Sequence, residues 1–219
     1  MENKTYKDRV DAGRVLAQEL KAKNIIDGVI IAIPRGGVVT AAQVAEALNL
    51  PLDIIIPRKI GAPFNPEVAI GSVTQDGTVI LTGNKNLLQS VSKEDIDDMV
   101  RIEINEIKRR MLKYRGNTDY PINIGKTVII IDDGIATGFT TRAAIMSIKK
   151  ILNPRKTILA VPVAPLEVFQ TLSEDVDEIV CPLVPETFYA VGQFYRIFDQ
   201  VSDEEVINLL HKSRKKLKS

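Results

Sequence analysis

Residues 128–140 read "VIIIDDGIATGFT". Four consecutive apolar residues, Val128 to Ile131, have the unbroken hydrophobic pattern of a strand buried on both faces, which is the mark of a parallel sheet. Asp132 and Asp133 then fall at the strand's carboxyl end, where open parallel sheets collect their ligands. Small residues and two hydroxyls follow before a helix begins. Backbone N–H groups at a helix N-terminus attract a phosphate dianion, small side chains let it come close, and Thr137 and Thr140 can add hydroxyl donors. An ordinary strand-to-helix turn with a threonine cap would also fit "TGFT" alone. The order of four apolar residues, two acids and then Ala-Thr-Gly-Phe-Thr is the more specific signal.

Outward from this segment the chain alternates. A helix over about 4–22 precedes the strand "GVIIAI" (28–33), the tetrapeptide "PRGG" (34–37), an alanine-rich helix (38–49) and a strand "LDIIIP" (52–57). Beyond the opening strand come a helix over about 140–152, the strand "KTILAVP" (156–162), a short strand "DEIVC" (177–181) and a helix from about 202. Strands alternating with helices predict an α/β fold, a mostly parallel twisted sheet with helices on both faces. Residues 1–219 are expected to form a single domain, with an insertion at about 60–126 that makes a hood or flap. Within it "EVAIGSVTQDGTVIL" alternates around Asp76-Gly77, a hairpin signal. A helix over about 92–114 carries Ile96, Val100, Ile104, Ile107 and Met111 on one face.

Composition removes several function classes. The chain has one cysteine and one histidine, so Cys/His metal clusters are excluded by count, and His211 in the polar C-terminal stretch gives no Ser-His or Cys-His scheme. A net charge of +1 makes no case for nucleic acid. No apolar run is long enough to cross a bilayer, and "MENKTYKDRV" lacks the apolar core of a secretory signal. The expectation is a cytoplasmic protein. No G-x-G-x-x-G follows a strand, which argues against a dinucleotide-dependent dehydrogenase.

Two further stretches sit at the ends of expected strands. In "PRGG", Gly36 and Gly37 can take positive φ and let the main chain approach an anion, with Arg35 adding charge. "RK" (58–59) is expected to end the strand that begins at residue 52. Each taken alone also fits a surface turn or a solvated strand end.

Together these stretches resemble the type I phosphoribosyltransferase family, whose signature for phosphoribosyl pyrophosphate (PRPP) is a hydrophobic strand, two acids and a small Thr/Gly loop. The similarity is closest to stand-alone phosphoribosyltransferases of uncertain acceptor and covers nearly the whole chain, through "AIPRGGV", "RKIGAPFNPEVAIGSV", "IDDGIATGFTTRAA", "AVPVAPLE" and "AVGQFYRIFDQVSDEEV". Two departures stand out: Phe139 occupies a loop position that is often Gly or Ala, and Gly134 replaces a bulkier apolar residue. The resemblance implies that Asp132 and Asp133 hold the ribose hydroxyls, and that Ala136, Thr137, Gly138, Phe139 and Thr140 form the 5-phosphate cup. It further implies that Arg35, Gly36, Gly37, Arg58 and Lys59 meet the pyrophosphate, so that Asp132, Asp133, Arg58 and Lys59 carry catalysis.

The implied reaction transfers the 5-phosphoribosyl group to a nucleobase or related nitrogen acceptor and releases pyrophosphate. Mg²⁺ is the expected cofactor, bound chiefly through substrate phosphates, with no protein ligand assigned and Asp132 or Asp133 as the candidates. The acceptor would be held by aromatics in "PETFYAVGQFYRIF" (185–198), with Phe188, Tyr189 and Tyr195 as candidates, although packing of the last lobe explains most of the five aromatics there. Expected partners are small molecules, without nucleic acid or membrane, and a homodimer is left open. The rival expectation is a PRPP-sensing regulator that kept the site and lost turnover.

Overall fold

A computed structural model describes residues 5–89, 91–120 and 125–216. The first helix, α1 (Arg9–Lys21), starts where the Asp8 side chain accepts the N–H of Asp11, which satisfies one orphan donor of the first turn. That cap places the helix start later than the residue 4 expected, and residues 1–4 lie outside the described residues. There follow β1 (Gly28–Ala32), α2 (Gly36–Leu48), β2 (Leu52–Ile54), β3 (Arg58–Ala62), β4 (Asn65–Val73) and β5 (Val79–Leu81). The chain continues through α3 (Lys85–Gln89), α4 (Lys93–Arg115), β6 (Thr127–Ile131), α5 (Phe139–Leu152) and β7 (Lys156–Ala160). It ends with α6 (Leu166–Ser173), β8 (Glu178–Val180) and α7 (Asp203–Lys216). No helix among the described residues is long and apolar enough to cross a membrane.

The main sheet has the order β2-β1-β6-β7-β8, and every pairing in it is parallel. Alternate residues of the central strands face opposite layers. Ile30, Ile129, Ile131 and Ile158 pack with Val38, Val44, Leu16 and Leu210 from α2, α1 and α7. Val29, Ile31, Val128 and Ile130 pack with Ile145, Ile148 and Leu172 from α5 and α6. Helices therefore cover both faces, and all five residues of β6 are buried, as the unbroken apolar run required.

The strand expected over 52–57 is shorter, and this moves a candidate site. β2 pairs with β1 only as far as Ile54. Ile55 and Ile56 stay buried while the chain leaves the sheet, so hydrophobicity outlasts the ladder. Arg58 and Lys59 thus do not end a parallel strand; they open β3, the first strand of a separate antiparallel sheet of order β3-β4-β5.

The turn at Asp76-Gly77 closes the β4–β5 hairpin, with Val73 opposite Val79 and Gly77 at φ 80°. Asp76 accepts from the hydroxyls of Thr74, Thr78 and Ser147 and pairs with Lys150, so the turn is fastened to α5. These donors hold its carboxyl well below the usual range despite burial. Helix α4 begins with a capping box between Ser92 and Asp95. Its apolar face is the packed one: Ile107 and Met111 are fully buried beside Ile60, Ile70 and Val73, with Ile96, Val100 and Ile104 along the same cluster.

Candidate active site at the carboxyl edge of the parallel sheet

β1 and β6 are adjacent and in register, Ala32 opposite Ile131, so the segments that leave them, Pro34–Gly37 and Asp132–Asp133, emerge side by side. The Pro34–Arg35 peptide is cis. Gly36 and Gly37 do not take positive φ; they are the first two residues of α2, and φ is positive instead at Gly134 and Gly138. Their smallness serves close approach. A β-carbon at Gly36 would overlap Oδ2 of Asp133 and stand 2.6 Å from its Cγ, and one at Gly37 would stand 2.9 Å from the Asp132 Cα.

Each acid is fixed through one oxygen. Oδ1 of Asp132 accepts the Asp133 N–H at 2.8 Å, and Oδ2 of Asp133 accepts from Nε of Arg9 at 2.6 Å. The two carboxyls also interact with each other, and no further N–H reaches either of them among the described residues. Burial raises the Asp132 carboxyl well above the ordinary carboxylate range, and the neighbouring charge of Asp133 raises it further. Behind the pair, the Tyr195 hydroxyl donates to the Asp133 carbonyl at 2.5 Å. Its ring lies between Tyr6 and Phe198, at centroid distances of 5.5 and 4.9 Å.

The loop after the acids turns at Gly134, φ 150°, and Ile135 anchors it by donating to the Val163 carbonyl. The unusual glycine has a local cause: a β-carbon at 134 would lie 2.5 Å from a methyl of Val191, which fills that space from the short 3₁₀ turn Val191–Phe194. Gly138, φ 77°, is the N-cap of α5, and Phe139 is the first residue of the helix rather than part of the loop before it. The N–H groups of Ala136 to Thr140 have no protein acceptor among the described residues, and Ala136 and Thr137 are exposed. A helix end of this kind favours an anion.

The expected cations are unequally placed. Arg35 lies 3.6 Å from Asp203 at the start of α7, a carboxylate that also accepts from Lys113 (2.5 Å) and the Tyr114 hydroxyl (2.6 Å) of α4. These donors pull Asp203 down to about 2. Arg58 is paired with Glu103 of α4 at 2.5 Å, and Lys59 is exposed.

The aromatic candidates separate too. Tyr195 is buried and its hydroxyl is taken by Asp133, Phe188 packs on Phe194 at 5.4 Å, and Tyr189 is 86% exposed. Tyr189 is the most exposed of the three and Phe188 is half-buried, whereas Tyr195 stands as a support for the acids and not as a free stacking surface. Arg9 and Asp203 carry no signal in the sequence. Both look like ordinary charges in the first turn of an amphipathic helix, and the partners that distinguish them, Asp133 and Tyr114, lie 124 and 89 residues away.

The description "phosphoribosyl transferase domain" belongs to the family model that matches residues 3–195. A Mycobacterium tuberculosis (strain H37Rv) protein with a provisional phosphoribosyl transferase name is 38% identical over 212 residues, 97% of this chain and 48% of its own length. The chain thus spans about half the length of that relative. A stretch of 140 residues, 64% of this chain and 58% of the relative, is 29% identical to the bifunctional protein pyrR of Enterococcus faecalis. Among solved structures, TT1426 from Thermus thermophilus superposes with a TM-score of 0.79 at 34% identity, covering 95% of this chain and 98% of its own.

Proposed function

The chain belongs to the phosphoribosyl transferase domain family, and from that premise we propose that it binds PRPP and transfers the 5-phosphoribosyl group to a nucleobase or related nitrogen acceptor in the cytoplasm. The observation that carries this reading is the contact between Gly36 and the Asp133 carboxylate beside an unpaired set of α5 amides. Acids for a diol, small residues for an anion and a helix N-terminus for a phosphate meet at one sheet edge.

In this reading the free oxygens of Asp132 and Asp133 accept from the ribose hydroxyls, and the amides of Ala136 to Thr140, with the Thr137 and Thr140 hydroxyls, hold the 5-phosphate. The acceptor nitrogen forms a bond to the anomeric carbon as the bond to pyrophosphate breaks. The electron pair leaves with pyrophosphate, and the proton of the acceptor nitrogen passes to a pyrophosphate oxygen or to water. Arg35, Lys59 and, once released from Glu103, Arg58 stabilise the departing charge. The insertion, with β3–β5 and α4, is the proposed cover that limits hydrolysis. Tyr189 is the remaining aromatic candidate for the acceptor.

No cluster of three or more metal-ligating side chains occurs among the described residues. The adjacent carboxylates of Asp132 and Asp133 are a donor set that suits Mg²⁺, which is commonly bound through substrate phosphates with one or two carboxylates. Asp132 and Asp133 are the residues that would reach it, and when bound it would supply charge neutralisation to the pyrophosphate.

The pairing of Arg58 with Glu103 favours a second reading, a PRPP-sensing regulator without turnover, because a cation already neutralised does less for a leaving group. One experiment separates the two. Nucleobases and small amines are screened with PRPP and Mg²⁺ while pyrophosphate release is followed, and Lys59→Ala is then compared for kcat and for PRPP affinity. A transferase loses more kcat than affinity. Tight PRPP binding by a wild type that releases no pyrophosphate with any acceptor moves the reading to the regulator.

A further inference from the structure

We propose that Arg9 is a positioning residue that fixes the Asp133 carboxylate for recognition of a vicinal diol; the inference rests on the ribose-binding reading of the two acids. Arg9 is held on three sides. Its Nε donates to Oδ2 of Asp133 at 2.6 Å, one terminal nitrogen donates to the Asp199 carbonyl at 2.7 Å, and the guanidinium carbon lies 3.8 Å from the centre of the Phe198 ring. The side chains of Arg9 and Asp133 are 12% and 16% exposed, so water screens the pair little.

A rigid fork explains why arginine stands here. The planar guanidinium hydrogen-bonds the carboxylate and the carbonyl in a fixed geometry while its flat face stacks on an aromatic ring, whereas an ammonium is a point charge on a flexible stem with no face to stack. The hold acts on one oxygen only. Oδ2 is pinned between Arg9 and the α-carbon of Gly36, where a β-carbon would stand 2.7 Å from Arg9 Nε, and no N–H other than that of Arg9 reaches the carboxylate among the described residues. With its backbone carbonyl clamped by Tyr195, Asp133 is fixed at both ends and offers one oxygen in a set direction. Arg9 also supplies the positive charge that two adjacent carboxylates need, since like charges so close disfavour joint ionisation.

The clamp joins distant parts of the chain. Arg9 opens α1, and Phe198 and Asp199 lie in the segment before α7. A shift of either terminal segment therefore reaches the diol subsite through one side chain.

The test compares ribose 5-phosphate with 2-deoxyribose 5-phosphate by calorimetry, because both carry the 5-phosphate and only the first carries the diol. Wild type is expected to prefer ribose 5-phosphate by about ten-fold or more, the worth of a hydrogen bond to a charged group. Arg9→Met is expected to reduce that preference to roughly two-fold or less while 2-deoxyribose 5-phosphate affinity stays within about two-fold, since the cup is untouched. A merely structural role would lower both affinities together. Arg9→Lys, which keeps charge but loses the fork, should fall between, and it decides the matter if Arg9→Met does not fold. Full preference in Arg9→Met, or in Arg9→Lys, overturns the positioning role while leaving the functional reading intact. Absence of preference in the wild type overturns both, and a gain of ribose 5-phosphate affinity in Arg9→Met would overturn the positioning role by showing that Arg9 competes for the carboxylate.

Discussion

Gly36 and Asp133, 97 positions apart, are packed so closely that a single methyl group cannot stand between them. The close approach is made by the first turn of one helix against the acid that follows the neighbouring strand. Replacing Gly36 by alanine forces the Asp133 carboxylate, and Arg9 with it, out of place. The expected destabilisation is about 1 to 3 kcal/mol, the usual range for overpacking, with weaker PRPP binding beyond what the stability loss explains. Urea unfolding and PRPP titration of Gly36→Ala measure the two effects separately, and unchanged PRPP affinity would remove the contact from the site.

Arg58 and Glu103 form a part-exposed pair, so breaking it should cost at most about 1 kcal/mol. Glu103→Gln is expected to leave the melting temperature nearly unchanged and to tighten inorganic pyrophosphate binding several-fold, because Arg58 no longer has a built-in competitor. Pyrophosphate titration of wild type and variant reads this directly. Weaker binding in the variant would mean that Glu103 holds Arg58 in its working position.

Asp132 predicts a stability change with a definite sign. Its carboxyl titrates above the ordinary range in the folded protein, so the fold prefers the protonated form. That preference is fully present below the unfolded pKa, and it is lost as pH rises through the raised folded value. Asp132→Asn should therefore raise the melting temperature at pH 8 and give no gain at pH 3, while weakening ribose 5-phosphate binding. A melting curve that falls at pH 8 would contradict the direction.

Far from the acids, Arg115 makes two hydrogen bonds to Asp53, at 2.7 and 2.8 Å, and lies 4.4 Å from the Tyr120 ring centre. The Arg115 side chain is 2% exposed. Asp53→Ala leaves that charge buried and unpaired, which typically costs about 3 to 5 kcal/mol. The preference for ribose 5-phosphate over the deoxy sugar should survive in the folded fraction. Calorimetry below the melting temperature tests whether stability and recognition separate in this way.

Local signals in the sequence locate what local interactions build. The run Val128–Ile131 and the two acids identify the central strand, and Asp76-Gly77 identifies the β4–β5 hairpin, because pattern and turn chemistry act over a few residues. Arg58 and Lys59 fall at a different strand end from the one expected because Ile55 and Ile56 remain buried after pairing stops, and hydrophobicity alone cannot mark that point. Gly36 and Gly37 are required by their neighbours and not by their φ values, which no pattern of adjacent residues encodes. Arg9 is invisible in the sequence since nothing within α1 distinguishes it from a capping-region charge. Helix α6 escapes detection as well, being eight residues long and without a side-chain cap.

Gly134 and Val191 occupy one volume between them. A side chain added after the acids would meet Val191 and Val163 and would also sit on a backbone of φ 150° that side chains rarely adopt, so room in the 3₁₀ turn alone would not admit it. A relative with a bulky residue at that position needs a different backbone path after the acids as well as a smaller partner in the turn beside Tyr189. The exchange would redraw the surroundings of Tyr189 without altering any residue of the proposed phosphate cup. On the proposed function, acceptor preference then varies independently of the residues proposed to hold the sugar.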